Sequence, residues 1–391
     1  MEQQEIYRTA QEYLTEEEIP GWLVYDYRHA NPVFWLVVSA SGHVTRPTYF
    51  YLPAQGEPSL LVHHVDAGKF ANSGVNVTVY SSQESMLAAL GSLLSGVSYV
   101  AMEYSPENTL PRVSRVDAGT VELVRSLGPK VVSSADLMQY ATHQWTPEQL
   151  ADHRVTADKL GQIVNEAFGY VGKHLAEGIN EFQVAGFIRN RFAEEEIKTP
   201  DGPIMAVNSN ASDPHYEPSA VQHSPIKQGD WLLIDLWAKG VADGCVYADI
   251  TWVAYVGETV PARQQEIFDI VIGARDAALQ YLKDAHGQGT PVLGWQADQV
   301  ARDFISSRSY GKYFTHRLGH SIGFEVHNEA VNLDGFETYD TRRIIPGICF
   351  SIEPGIYLPE FGVRSEIDVF MAAYGPYASS PVQHEVVLIK G

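Results

Sequence analysis

Four carboxylates and one imidazole in the second half of the chain stand where ordinary packing would not place them. Asp235 interrupts the apolar run WLLIDLWA, and Asp249 opens DITWVAYV fourteen residues later. A carboxylate inside such a run is costly unless it is paired or binds a cation. KGVADGC between the runs reads as a turn, so a hairpin can set both carboxylates side by side on one face. Two apposed carboxylates repel strongly unless a cation lies between them. The plainer alternative for Asp235 is a solvent-facing edge position or a salt bridge.

His316, His320 and His327 fall within twelve residues, in HRLGHSIGFEVHNEA. Gly319 and Gly323 argue against a stable helix there and suit a turn that brings backbone close to a ligand. Glu353 follows the apolar ICFSI and precedes Pro354-Gly355, and Glu366 lies between Arg364 and Asp368 in GVRSEID. Either glutamate could instead belong to a core ion pair, for example with Arg364, but such pairs are rarely net stabilising. Asp235, Asp249, His320, Glu353 and Glu366 together form an oxygen-rich set with one nitrogen. That set suits Mn, Co, Fe or Zn. Four carboxylates offset the charge of two divalent ions, whereas one ion would leave the site too negative. Such ions ~3.5–4 Å apart can bridge and activate one water, which is hydrolytic chemistry.

The elements that must position these residues can be read around them. Up to about residue 140, GWLVYDY, VFWLVVS, TYFYLP, PSLLVHH, VTVYSS and SYVAMEY read as strands, and QESMLAALGSLL as a helix. This α/β half offers no cluster of acid, base and metal ligand, so a support or oligomerisation role is expected for residues 1–145. A boundary falls at Trp145-Thr146-Pro147-Glu148, where Thr146 can cap a helix that has Pro147 at its first position. That helix runs to about Leu175 and ends at Gly178, and a second spans about Glu181–Glu196. The loop-rich PDGPIMAVNSNASDPHY, the two aspartate strands, a helix pair over Pro261–Ser307 and a set of C-terminal strands follow. Residues 146–391 therefore read as an α+β domain, and the repeated order of helices then strands suggests pseudo-two-fold symmetry.

Length, charge and cysteine content narrow the classes. The 391 residues are too many for one core of ordinary size. Hydrophobic residues at 45% and charged residues at 19% are ordinary for a soluble protein. A net charge of −21 repels phosphate backbones, so no nucleic-acid partner is expected. Cys245 and Cys349 have no CxxC spacing and support neither a zinc ribbon nor a disulfide framework. MEQQEIYRTA has neither the basic nor the apolar region of a secretory signal, and VFWLVVSA is too short to cross a bilayer. A cytoplasmic enzyme without membrane contact is the expectation.

These motifs resemble the signature of the pita-bread metallopeptidases, which include methionine aminopeptidase, Xaa-Pro aminopeptidase, prolidase and creatinase. The resemblance covers about residues 150–391. NSNASDPHYEP, LIDLWA, ADITW, HRLGHSIGFEVHNEA, SIEPGIY and GVRSEID follow the family order. The first half is similar in size and texture to the creatinase-type domain of prolidases and Xaa-Pro aminopeptidases. The resemblance implies two divalent metal ions, with Mn foremost and Co, Zn or Fe as alternatives. It implies that Asp235 binds one ion through both oxygens, that Asp249 and Glu366 bridge the pair, and that His320 and Glu353 complete the other site. Glu353 would also act as general base, and His215 and His327 would orient substrate and stabilise the oxyanion. His316, Arg364, Arg342 and Arg343 are candidates for substrate binding. The implied activity is cleavage of the bond preceding proline, either as an Xaa-Pro dipeptidase or as an Xaa-Pro aminopeptidase acting on longer peptides. Hydrolysis of another amide or ester remains a third option. A small peptide with proline second is the expected substrate, and a homodimer the expected assembly. Two departures stand out: the aspartates lie further apart than the family usually has them, and an insertion at residues 328–346 separates His327 from Glu353. That insertion carries Arg342 and Arg343 and favours the dipeptidase.

Overall fold

In the computed structural model, which describes residues 3–390, the contacts of the chain fall into two units, Met1–Gln144 and Trp145–Gly391. Among the described residues the first unit holds one six-stranded sheet. Its strands are β1 (Gly21–Asp26), β2 (Thr48–Pro53), β3 (Ser59–His63), β4 (Asn76–Tyr80), β5 (Tyr99–Met102) and β6 (Lys130–Ser133), in the order β4-β3-β2-β1-β5-β6. Alternate side chains leave the sheet on opposite sides. Trp22 and Val24 join one apolar cluster, and Leu23 joins another with Tyr49 and Tyr51. Helices α1 (Gln3–Glu16), α2 (Pro32–Val37), α3 (Gln83–Leu93), α4 (Ala118–Ser126) and α5 (Ala135–Thr142) supply residues to these clusters, so both faces are covered.

The run VFWLVVS, expected as a strand, forms helix α2 instead. Pro32 occupies its first turn, and the Asn31 side chain accepts from the Val33 N–H at 3.1 Å. Asp26 in turn accepts from the Asn31 N–H at 2.9 Å. Local capping thus outweighs the β propensity of valine and aromatic residues.

The second unit opens with α6 (Pro147–His174), capped by Thr146 and Gln149, and α7 (Glu181–Glu194). Strands β7 (Ile197–Lys198), β8 (Ile204–Val207), β9 (Trp231–Gly240) and β10 (Ala248–Val256) follow. Helices α8 (Ala262–Gly287) and α9 (Gly294–Ser306) come next. The remaining strands are β11 (Ser321–Ile322), β12 (Cys349–Ile352), β13 (Gly355–Tyr357), β14 (Gly362–Arg364), β15 (Ile367–Ala372), β16 (Gly375–Ala378) and β17 (Val387–Ile389). β9 and β10 lie at the centre of one sheet with β7, β8 and β17, and β11-β12-β15-β16 form a second.

Period two decides where the carboxylates go. Leu232, Ile234, Leu236 and Ala238 of β9, with Ala248, Ile250, Ala254 and Val256 of β10, pack in one core cluster with Leu160, Val164, Phe168 and Val171 of α6. Asp235 and Asp249 occupy the alternate positions, so the alternation turns both away from the helices. Among the described residues no helix is long and apolar enough to cross a membrane.

Helix α6 is also tied to the sheets by a buried polar residue. His153 donates from Nδ1 to the Tyr247 carbonyl at 2.9 Å, and its Nε2 accepts from the Ser379 hydroxyl at 2.8 Å. Burial, opposed by the Tyr247 bond, lowers its pKa from 6.5 to about 4. The folded state therefore keeps this ring neutral where the unfolded state protonates it. Its contribution is intact above pH 6.5 and is lost as pH falls towards 4. The loss should reach about 3 kcal/mol, the size of that shift in free energy. Denaturant unfolding of wild type and His153→Gln across this range should show it as the difference between the two pH slopes; parallel slopes would refute it.

Candidate metal centre

Strands β9 and β10 pair antiparallel, with Asp235 opposite Thr251 and Asp249 opposite Trp237. Asp249 and Thr251 share a face, so the register brings both aspartates to one side, two residues apart diagonally. β12 and β15 deliver the glutamates: Glu353 follows the end of β12 and Glu366 immediately precedes β15. The Glu366 N–H donates to the Thr251 carbonyl at 3.2 Å, and the Thr251 hydroxyl donates to Glu366 Oε2 at 2.7 Å. The Asp249 N–H donates to Asp368 Oδ2 at 2.9 Å, a second tie between the sheets.

His320 comes from a close backbone approach. A Cβ on Gly319 would sit 1.9 Å from the Ser351 carbonyl oxygen, so only glycine fits there. The His320 N–H donates to Ser351 Oγ at 2.9 Å, and Ser351 Oγ donates to Glu353 Oε1 at 3.2 Å. His320 Nε2 then lies 3.3 Å from Glu353 Oε1 and 3.8 Å from Asp249 Oδ2. Ligand atoms of Asp249, His320 and Glu366 all fall within 4.8 Å of one another. Asp235 Oδ1, Asp249 Oδ1 and Glu366 Oε1 are buried without a hydrogen-bond partner. The donor set and its three unsatisfied oxygens fit divalent cations.

The electrostatics point the same way. Burial, then repulsion from Glu366 and Asp235, pushes the Asp249 carboxyl far above its usual range. Burial, then Glu353 and Asp235, does the same to Glu366. Burial raises Asp235 too, opposed by Arg364, and burial lifts Glu353 to about 7 against Arg364 and Arg317. Without a countercharge such groups hold protons, and cation binding releases them.

Arg364 is the cation the fold itself supplies. Its buried guanidinium donates to Asp235 Oδ2, to the Thr251 hydroxyl at 3.1 Å and to the Tyr357 hydroxyl at 3.0 Å. One oxygen of Asp235 is thereby engaged, where the family pattern implied both on metal. The Tyr357 hydroxyl donates onward to His316 Nε2 at 2.7 Å, and His316 Nδ1 donates to the Arg317 carbonyl at 2.6 Å. Burial and then the Arg364 charge lower the His316 pKa to about 3, which keeps the ring neutral.

Three of the expected substrate contacts have partners within the chain. His316 and Arg364 are spent on one another through Tyr357. Arg342 is buried and forks onto Asp340, with Nε–Oδ1 at 3.0 Å and Nη2–Oδ2 at 2.6 Å, and it also donates to the Glu329 carbonyl. It locks the insertion to itself instead of reaching outward. Arg343 is exposed, with its backbone bridged to Leu293. His327 is exposed, its ring edge-to-face with His320 at 4.3 Å between centroids. His215 is exposed on the loop before β9, and its charge favours the ionised form of Asp235.

Residues that hold these loops carried no sequence signal of their own. Glu181, at the start of α7, is buried and accepts four bonds from the chain around His215. They come from the Val207 N–H at 2.7 Å, Asn210 Nδ2 at 2.8 Å, the Tyr216 hydroxyl at 2.6 Å and the Ser224 N–H at 2.6 Å. Asp298 accepts from the Leu318 N–H at 2.8 Å and from Arg302, which also donates to the Phe314 and His316 carbonyls. A glutamate in the first turn of a helix reads as a dipole partner, and an Asp–Arg pair four apart reads as surface charge.

Residues 157–373 match the model of metallopeptidase family M24. The chain is 28% identical over 240 residues to an uncharacterized peptidase of Bacillus subtilis (strain 168), YqhT, covering 59% of this chain and 62% of that protein. It thus spans about three-fifths of the length of the curated relatives it matches. Dipeptidase PepE from Mycobacterium ulcerans superposes with a TM-score of 0.70 at 21% identity, covering 100% of both chains. The prolidase from Pyrococcus horikoshii OT3 gives 0.61 at 22%, covering 98% of this chain and 100% of that one. At such identities the likeness is one of fold, the pita-bread fold.

Calorimetric titration with Mn should show uptake by the wild type, with protons released and affinity rising as pH climbs through about 7, where Glu353 ionises. Asp249→Asn and Glu366→Gln should bind far more weakly. Glu181→Gln should bind Mn normally yet expose residues 208–225 to limited proteolysis. Normal Mn affinity in both ligand variants would remove the centre proposed here.

Proposed function

The chain belongs to metallopeptidase family M24, and on that footing we propose that it hydrolyses the bond preceding proline in short peptides, using divalent cations held by Asp235, Asp249, His320, Glu353 and Glu366. The observation that carries this reading is the set of three buried carboxylate oxygens without partners beside His320 and Glu353. Cations held there would supply Lewis acidity, polarising the scissile carbonyl and lowering the pKa of the attacking water. The protein's residues do the rest. Glu353 accepts the proton of that water at a carboxylate oxygen and returns it to the leaving nitrogen, a task suited to a group poised near neutral pH. His215 and His327 donate to the carbonyl oxygen as it gains charge. Ser351 holds Glu353 and His320 in mutual register. Arg364 fixes Asp235 and, through Thr251, the Glu366 carboxylate. The preference for proline is supported by the likeness to a solved prolidase.

A panel of Xaa-Pro dipeptides, Xaa-Pro-Xaa tripeptides and peptides with N-terminal Met, assayed after chelation and reconstitution with Mn or Co, tests this directly. Activity should vanish with chelator, return with metal and be confined to the proline peptides. Glu353→Gln, assayed at Mn concentrations that saturate the variant, should lose ~10²-fold or more in turnover. Chelator-resistant activity, or equal cleavage of the Met peptides, would sink the proposal.

A further inference from the structure

The six-stranded sheet of the first unit ends in β4 on one side and β6 on the other. A sheet edge carries a row of unpaired N–H and C=O groups, and folded proteins guard it with charge, proline or a covering segment. β6 begins with the exposed Lys130, which is such a guard. β4 has none. From Phe70 to Gln83 no residue is charged and none is proline. Asn76, Val77, Thr78 and Val79 are all exposed, and among the described residues β4 pairs with β3 alone.

The directions of the groups on that edge are fixed. The His64 N–H donates to the Tyr80 carbonyl at 2.9 Å, so Tyr80 turns its backbone groups towards β3. Alternation turns those of Thr78 the same way and points those of Val77 and Val79 outward. The side chains follow the register. Val77 lies beside Leu60 and Val79 beside Val62, both fully buried in the apolar cluster that α1 shares. Val77 and Val79 carry that apolar face on to the edge, where they are 38% and 52% exposed.

We propose that β4 pairs antiparallel with β4 of a second copy of this chain, about a two-fold axis at Thr78, which joins the two six-stranded sheets into one. The strand is self-complementary in this register. Val77 of one copy lies opposite Val79 of the other, and each such pair exchanges both of its N–H···O bonds through the groups that point outward. Thr78 faces its own counterpart as the closer, non-hydrogen-bonded pair. The valines of both copies then bury one another in a strip continuous with the two cores. A two-fold interface uses the same patch on both copies, and this strand meets that condition. Charge selects the same place. Two chains of net charge −21 repel, so approach costs least where the surface carries no charge.

The test reads mass by light scattering and register by cross-linking, on the full chain. Wild type should be a dimer. Val77→Lys and Val79→Lys should weaken it about tenfold or more, because each buries an ammonium or sets it against its counterpart, while circular dichroism stays that of the wild type. Thr78→Cys should give a disulfide-linked dimer under mild oxidant, since the axis sets the two thiols opposite each other. Asn76→Cys and Val77→Cys are equally exposed but lie too far from their own counterparts, and they should not cross-link. Cys245 and Cys349 are buried, so the wild type is the blank. A monomeric wild type overturns the proposal and leaves the edge to some other extended segment. A dimer that ignores both lysines overturns it too, by putting the interface elsewhere. Should the lysine variants fail to fold, the cysteine series decides: cross-linking at 78 alone sustains the pairing, and cross-linking at all three positions or at none refutes it.

Discussion

Asp235, Asp249, Glu353 and Glu366 share a space from which water is largely excluded; burial makes each of them harder to ionise, and the charges of Asp235, Glu353 and Glu366 add to this at Asp249. A protein interior tolerates such a group only with a countercharge. Arg364 supplies a single positive charge, and it lies on one side, against Asp235. The remaining negative charge is an electrostatic debt that divalent cations would discharge. Much of the surrounding structure serves to keep these carboxylates from moving apart.

That service is rendered by backbone and hydroxyl groups more than by further charges. Thr251 joins Glu366 to β10 twice, through its carbonyl and its hydroxyl. Ser351 links His320 to Glu353, and Asp368 accepts from the Asp249 N–H. Each contact crosses between the β9-β10 hairpin and the β12-β15 sheet or lies within one of them. The cost of separating the carboxylates is therefore the cost of separating two sheets, which holds the centre more firmly than side-chain packing alone.

The histidines sit on less regular chain, and buried carboxylates take the place of strand pairing there. Glu181 gathers four donors from residues 207–224, and Asp298 with Arg302 holds the segment that leads to His316. A buried carboxylate with several charge-assisted bonds orders a loop without stiffening its exposed tip. His215 and His327 remain at the solvent side, while the bases of their loops are fixed.

Much of the catalytic unit was legible in the sequence. Carboxylates inside apolar strands are costly anomalies, and period two made it clear which face of β9 and β10 would carry Asp235 and Asp249. The Thr146-Pro147 cap marks the start of α6, and Gly178 ends the 3-10 turn Leu175–Glu177 that follows it, because capping chemistry is local. α2 forms where a strand is expected, although Asn31-Pro32 precedes it, since its valines and aromatic residues suit strands as well as they suit a short buried helix. What the sequence left open was which charges were already spent. Arg342 takes Asp340, two residues away, only because the insertion folds back on itself. Arg364 reaches Asp235 across 129 positions, and His316 meets Tyr357 across 41. Residue type and spacing set which groups the chain offers. Only the tertiary structure decides which of them meet, because a long polar side chain takes whichever partner the folded backbone brings within hydrogen-bond reach.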